Sequence, residues 1–191
     1  TTATAIAWGM HWAHYQPDMR QKIRTEIANA GAYDDAMALT KLPYLEAFCN
    51  EILRIYPVAM LTFPRVAEQP LELMGHTIEP GTLLVGCIYL LHHREDLYPQ
   101  PSEFRPERFL ERKYSAFEFM PFGAGARRCI GYALAIYELK IILGTLLSHY
   151  DFELVSDRPA IPERRGVTLG MKDGVEMIYQ GPCSVPAPVS V

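Results

Sequence analysis

Phe122-Gly123-Ala124-Gly125-Ala126-Arg127-Arg128-Cys129-Ile130-Gly131 is the stretch that decides how the rest of this chain is read. It has the makings of a loop that presents one thiolate to a metal. A thiolate is favoured where a cysteine faces the free N–H groups and the positive dipole end of a helix. The run from Ile130 to Ser148 that follows Cys129 carries Ala133, Ile136, Leu139, Leu143 and Leu146 at helical spacing. Gly123 and Gly125 permit backbone angles closed to other residues and let the main chain approach a flat ligand. Pro121 helps to stop the preceding segment. A guanidinium grips a carboxylate in a fork, so Arg127 suits an acidic group on such a ligand.

Taken singly, the stretch has other readings. A cysteine ahead of an apolar helix also serves as a small buried hydrophobe, and glycine-rich turns also cradle phosphates. Two further segments therefore matter: Glu51-Ile52-Leu53-Arg54, with an acid and a base at i, i+3, and Phe104-Arg105-Pro106-Glu107-Arg108-Phe109. Glu-x-x-Arg by itself is a common surface ion pair worth a few tenths of a kcal/mol at most, roughly. Three motifs in one order are more specific.

Phe122-x-x-Gly125-x-Arg127-x-Cys129-x-Gly131 resembles the haem-binding signature of the cytochrome P-450 family at all its usual fixed positions. The two upstream segments resemble the family's Glu-x-x-Arg pair and the stretch that adds a second arginine to it. The resemblance runs from Thr1 to about Tyr179. It implies a mainly α fold with small β-sheets (α+β), of which this chain is the C-terminal portion: residues 1–181 as part of one haem-thiolate domain, and 182–191 as a disordered tail. The family's domain is more than twice as long, so the segment is expected to be a fragment.

The same resemblance assigns roles. Cys129 is the iron ligand, and Phe122, Gly125, Arg127 and Gly131 complete the cofactor loop. Arg65 matches an arginine that pairs with a haem propionate; a solvated strand-edge charge is its plainer reading. Glu51, Arg54 and Arg108 form a buried structural triad that locks their helix to the loop bearing the cysteine. Thr1, opening Thr1-Thr2-Ala3-Thr4-Ala5-Ile6-Ala7-Trp8, corresponds to the threonine that passes protons to iron-bound oxygen; at a helix start it also suits an N-cap. Val58, Ala59, Met60 and Leu61, with Met171 near a hairpin tip, would line an apolar substrate pocket. They also read as plain core.

The implied reaction is insertion of one oxygen atom from O2 into an apolar organic substrate. Electrons come from NAD(P)H through a ferredoxin or reductase. A family member acting as an isomerase or dehydratase on peroxides is the first alternative, and a truncated haem-binding fragment without turnover is the second. The chain alone is expected to be inactive. Arg105, Arg112, Lys113 and Arg128 flank the cysteine segment and would steer an acidic electron donor, unless they are simply solvated.

Composition agrees with this class. Of 191 residues 49% are hydrophobic, and the net charge is −4 with no basic stripe, which gives no support to a nucleic-acid partner. Cys49, Cys87, Cys129 and Cys183 lack zinc-type spacing, and reduced thiols are their simplest state. The histidines, including the adjacent His92 and His93, receive no metal role, because i, i+1 neighbours on a helix point apart. Neither a spanning segment nor a secretory signal is expected within this stretch. The layout near Arg164–Gly170 is closer to bacterial members, which would make the protein cytoplasmic; a membrane anchor would lie ahead of the matched segment.

Periodicity and punctuation predict the elements. The run Thr2–Tyr15 is apolar all round, as in a helix covered on every side, with its covering partners expected outside this chain. Pro17 opens a helix with Met19, Ile23 and Ile27 on one face, which Gly31 ends. Tyr44–Tyr56 carries Leu45, Phe48, Ile52 and Ile55 and stops at Pro57. Short strands are expected at Leu61–Val66, Leu71–Met74 and Thr82–Val85, with a turn at Pro80-Gly81, then a short helix near Ile88–His93. Four prolines forbid a long element across Arg94–Phe122. Asp173-Gly174 is predicted to turn a hairpin between the alternating runs Val167–Met171 and Val175–Tyr179.

Overall fold

The computed structural model describes residues 1–183. Four helices make the frame: α1 (Thr2–Tyr15), α2 (Pro17–Ala30), α4 (Pro43–Ile55) and α7 (Tyr132–His149), with short helices α3 (Ala36–Leu39), α5 (Ile88–His92) and α6 (Arg108–Glu111) between them. Each start and stop has a local cause. Gly31 takes a left-handed φ of 61° and accepts the end of α2, where its N–H and that of Ala32 bond the carbonyls of Ala28 and Ile27. Pro17 and Pro43 sit at first-turn positions, where a missing N–H costs nothing. The N-terminus of α4 is further closed from outside: Glu26 on α2 accepts from Tyr44 N and Leu45 N at 2.7 and 3.0 Å.

The core lies where α1, α2, α4 and α7 meet, built on Trp8, Ile23, Ile27, Leu45, Phe48, Ile52, Leu139, Leu143 and Leu147, all essentially inaccessible. The stripe of α7 is thus Leu139, Leu143 and Leu147; Leu146 is half-buried, and Ala133 is exposed. α1 is so apolar because it is central: Gly9 lies so close to α7 and α4 that a Cβ there would meet Leu143 and Ile52 side chains at 2.7–2.9 Å. This corrects the expected lack of covering partners, since Trp8–His11 and Ala13 are buried by the chain's own elements, while Ala3 at the start is exposed.

Four two-stranded antiparallel sheets complete the fold. They are β1 (Arg65–Val66) with β4 (Leu83–Leu84), β2 (Leu71–Leu73) with β3 (His76–Ile78), β5 (Tyr150–Leu154) with β8 (Met177–Pro182), and β6 (Pro162–Arg165) with β7 (Thr168–Met171). Strand β3 was not anticipated; Met74 and Gly75, both at positive φ, turn β2 back onto it. The predicted hairpin at Asp173-Gly174 is overturned. β7 pairs with β6 through a turn at Gly166-Val167, and β8 pairs with β5, so Asp173-Gly174 is a corner between two sheets. Lys172 N still bonds Ile161 O, whereas Glu176 O already receives Val155 N. The alternation on both sides of the corner was real, and the partners of each run were different strands.

Pro182 ends β8 opposite Tyr150, so ordered chain extends past the expected boundary at 181; the rest of the predicted tail, 184–191, lies outside the described residues. Among the described residues no helix is long and apolar enough to cross a membrane.

Candidate functional site

The cysteine segment is a tight loop before α7. Gly123 and Gly125 hold φ of 70° and 67°, angles that L side chains rarely adopt, and a Cβ on either would meet nothing within 4 Å. Gly123 N bonds Met120 O at 2.9 Å, a short 3₁₀ turn spans Gly125–Arg127, and Cys129 N returns to Phe122 O at 2.9 Å, closing the loop. α7 begins at Tyr132, two residues later than predicted. Cys129 therefore stands just ahead of the helix, its carbonyl receiving Tyr132 N at 3.4 Å. Its thiol is exposed.

The surroundings of Cys129 are apolar and uncovered. Ile130 is fully exposed, and Tyr132, Ala133 and Leu134 in the first turn of α7 are exposed as well. Open space over the two glycines and bare apolar side chains beside one exposed cysteine sulfur form a surface that suits a flat apolar group. Arg127 and Arg65 are exposed, and among the described residues neither meets a carboxylate; Arg65 Nη1 bonds only Phe63 O and Pro64 O at 3.0 and 3.1 Å. The residues present therefore fit a haem: a soft donor, an apolar face and two cations for propionates. No cluster of three or more His, Cys, Asp or Glu side chains able to hold a metal ion exists among the described residues.

A concavity of about 410 Å³ opens between α4, α7 and this loop, lined by Phe119, Phe122, Tyr132, Ile136, Glu46 and Lys140 among others. Lys140 is tied there to Glu46 at 2.7 Å and to Thr40 O at 2.9 Å. The guanidinium of Arg128 lies 3.6 Å from the Tyr132 ring centre. Arg105 and Arg112 are partnered by Glu111 and Glu118, so their charge is locally neutralised, whereas Arg128 meets no acid among the described residues.

Glu51, Arg54 and Arg108 are brought together and fully buried. Arg54 grips Glu51 in a fork at 2.7 and 2.8 Å, and Arg108 Nε reaches the same carboxylate at 3.1 Å. Glu51 also accepts Arg105 N at 2.8 Å, and the arginines extend to the carbonyls of Pro99 and Glu103. The group thus locks α4 to the 99–108 segment, not directly to the cysteine loop as expected.

The direct link is His92, to which the sequence reading gave no role. Its carbonyl accepts Arg54 Nη1 at 2.8 Å, its Nδ1 lies 3.1 Å from Arg54 O, and its Nε2 accepts Met120 N at 3.0 Å. The two ring contacts fix a neutral tautomer with the proton on Nδ1. Burial lowers its pKa to about 3. His93, by contrast, stays local, with Nδ1 on Tyr89 O at 2.8 Å. Nothing in the spacing around His92 marked it, because its partners lie 38 and 28 positions away.

Of the pocket candidates, Val58 and Ala59 join β7, whereas Met60 and Leu61 turn towards Cys87–Tyr89. Leu169 N bonds Val58 O at 2.9 Å and Ala59 bridges Thr168, so the segment after α4 adds to β7. Met171 is buried in the core and is not at a hairpin tip, which falls instead at Val167. Ala59 and Leu61 are exposed, with Val58 and Met60 half-buried. Thr1 is the exposed N-cap of α1, with no side-chain capping bond. The start of that helix nears β7, where a Cβ on Gly170 would lie 3.8 Å from Thr4.

The sequence matches the cytochrome P-450 family over residues 1–175. It is 34% identical over 180 residues to cytochrome P-450 137 of Mycobacterium tuberculosis, covering 94% of this chain and 36% of that protein. It is 37% identical over 166 residues to a flavonoid 3',5'-hydroxylase of Eustoma exaltatum subsp. russellianum (82% of this chain, 32% of that protein). A steroid 17-alpha-hydroxylase/17,20 lyase of Ictalurus punctatus is 34% identical over 174 residues, 87% and 34% of the two chains. The chain therefore spans about a third of the length of these relatives.

Proposed function

This chain belongs to the cytochrome P-450 family, and on that premise we propose that it is the iron-holding portion of a haem-thiolate monooxygenase. One observation carries the reading: the exposed Cys129 thiol at the mouth of a closed, glycine-opened loop, among apolar side chains that stand uncovered among the described residues. Residues 1–181 are on this reading the C-terminal portion of a single domain. The group when bound supplies the redox chemistry that inserts one atom of O2 into an apolar organic substrate.

The chain's own residues bind and orient. Cys129 donates through sulfur, and the Gly125 and Gly131 backbone leaves the face beside it clear. Phe122 packs against the core and closes the loop through its carbonyl. Arg127 and Arg65 pair with the propionates. Val58–Leu61, joined to β7, form part of the substrate wall, and Thr1 holds a proton near the reaction. NAD(P)H serves indirectly, through a ferredoxin or reductase that approaches the Arg128 side.

The test is the Soret band of the full-length, haem-loaded protein, reduced and exposed to carbon monoxide. A strongly red-shifted band that Cys129→Ala removes is expected. An unshifted band in the native protein, or a shifted one in the alanine variant, overturns the assignment. Turnover with a peroxide and no external electrons, in place of O2 and an electron donor, would select the isomerase or dehydratase alternative.

A further inference from the structure

We propose that His92 is a positioning residue for Cys129, transmitting the geometry of the buried Glu51–Arg54 pair to the loop that carries the thiol. The inference rests on the reading of Cys129 as the iron ligand. The chain of contacts is continuous. Arg54 fixes His92 from both sides, through Nη1 to its carbonyl and through the Arg54 carbonyl at Nδ1. The free ring nitrogen then holds Met120 N at 3.0 Å. Met120 O receives Gly123 N, and Phe122 O receives Cys129 N, both at 2.9 Å. Each segment is thus held by the one before it, from a fully buried ion pair to an exposed thiol.

Several features single out His92 over its neighbours. It is completely buried, and its ring stacks on Phe119, with centroids 5.4 Å apart at 30°. Tyr98, itself inaccessible, anchors the same stretch two residues earlier through its hydroxyl on Glu118 O at 2.8 Å. Glu118 and Met120 are therefore both pinned, and Gly123 turns immediately after them. The ring must offer a donor on one side and an acceptor on the other. Only a neutral imidazole does both at this span, and burial keeps it neutral.

The experiment compares His92→Gln with His92→Asn in the full-length, haem-loaded protein. The longer glutamine carries its amide oxygen to the Nε2 position and keeps an acceptor for Met120 N. Asparagine, one methylene shorter, reaches the Arg54 carbonyl alone. The expected result is a split. The glutamine variant retains the thiolate-type carbon monoxide band and slow exchange of the Met120 amide. The asparagine variant loses a substantial part of that band to the unshifted form, and its Met120 amide exchanges at least about tenfold faster. A general packing role would move both variants alike. Equal behaviour of the two, whether both retain or both lose the band, overturns the inference. Absence of the red-shifted band in the unsubstituted protein would instead overturn the assignment of Cys129, so the two failures are distinguishable.

Discussion

The buried charges of Glu51, Arg54 and Arg108 are held by geometry that leaves no group over. Arg54 makes bonds to Glu51, to His92 O and to Glu103 O while lying 5.1 Å from the Tyr98 ring centre. Removing it takes the forked partner from a fully buried carboxylate, which keeps Arg108 Nε and Arg105 N, and empties the volume the guanidinium fills. Arg54→Ala is expected to destabilise the protein by roughly 3–5 kcal/mol, seen as a lowered urea midpoint; a loss below about 1 kcal/mol would show that water reaches Glu51. His92 gives a pH dependence of definite sign. Its native pKa near 3 lies below its ordinary value of 6.5, so the unfolded chain takes up a proton that the native one refuses. The stability tied to its neutral form is complete above about pH 6.5 and is lost as pH falls towards 3, by at most about 1.4 kcal/mol per pH unit. His14, buried to a pKa of about 4, acts in the same direction over the upper part of that window. His92→Gln should reduce the acid slope of the unfolding free energy between pH 6 and 4; an unchanged slope would mean that His92 already protonates in the native state. The two glycines of the cysteine loop were legible in sequence because a positive φ constrains residue type directly. His92 was not, because a buried imidazole leaves no trace in local composition.

Elements were legible where their cause is local and obscure where it is a neighbour. α2 and α4 carry their apolar stripes, a proline in the first turn and, for α2, a glycine at the end, and they lie where these signals put them. The pairing of β5 with β8 and β6 with β7 was hidden, because alternation reports a buried face and says nothing of the partner. The cap of α4 is hidden for the same reason: its acceptor is Glu26, on another helix. Glu26→Ala is expected to cost about 1–2 kcal/mol by freeing two N–H groups at that N-terminus. An equal loss in Glu26→Gln would show that the charge, not the acceptor alone, matters there. The crossing of α1 with α7 and α4 depends on Gly9. Gly9→Val is expected to lower stability by roughly 1–3 kcal/mol, because Leu143 and Ile52 are fully buried and have little room to retreat. A neutral effect on the denaturation midpoint would mean that the helices shift apart without loss.

Across the whole molecule the packing is uneven: the four-helix core is closed, while Phe63, Ile130, Leu134 and Val167 are each at least 60% exposed. Apolar side chains uncovered on this scale drive association. The 191-residue chain produced alone is expected to self-associate and to bind an apolar dye, measured by sedimentation and fluorescence; a monodisperse, dye-silent monomer would contradict this. The amino-acid sequence by itself determined the helical frame, the cysteine loop and the Glu51–Arg54 pair, since helical period, glycine freedom and charge pairing at i, i+3 are written within a few residues of one another; Arg108 joined that pair only through the family resemblance. Only the tertiary structure decided which strands pair, that α1 is covered by its own chain, and that the triad reaches the cysteine loop through His92. Those depend on contacts between residues tens of positions apart, whose free energy arises from burial and shared hydrogen bonds that no local window contains.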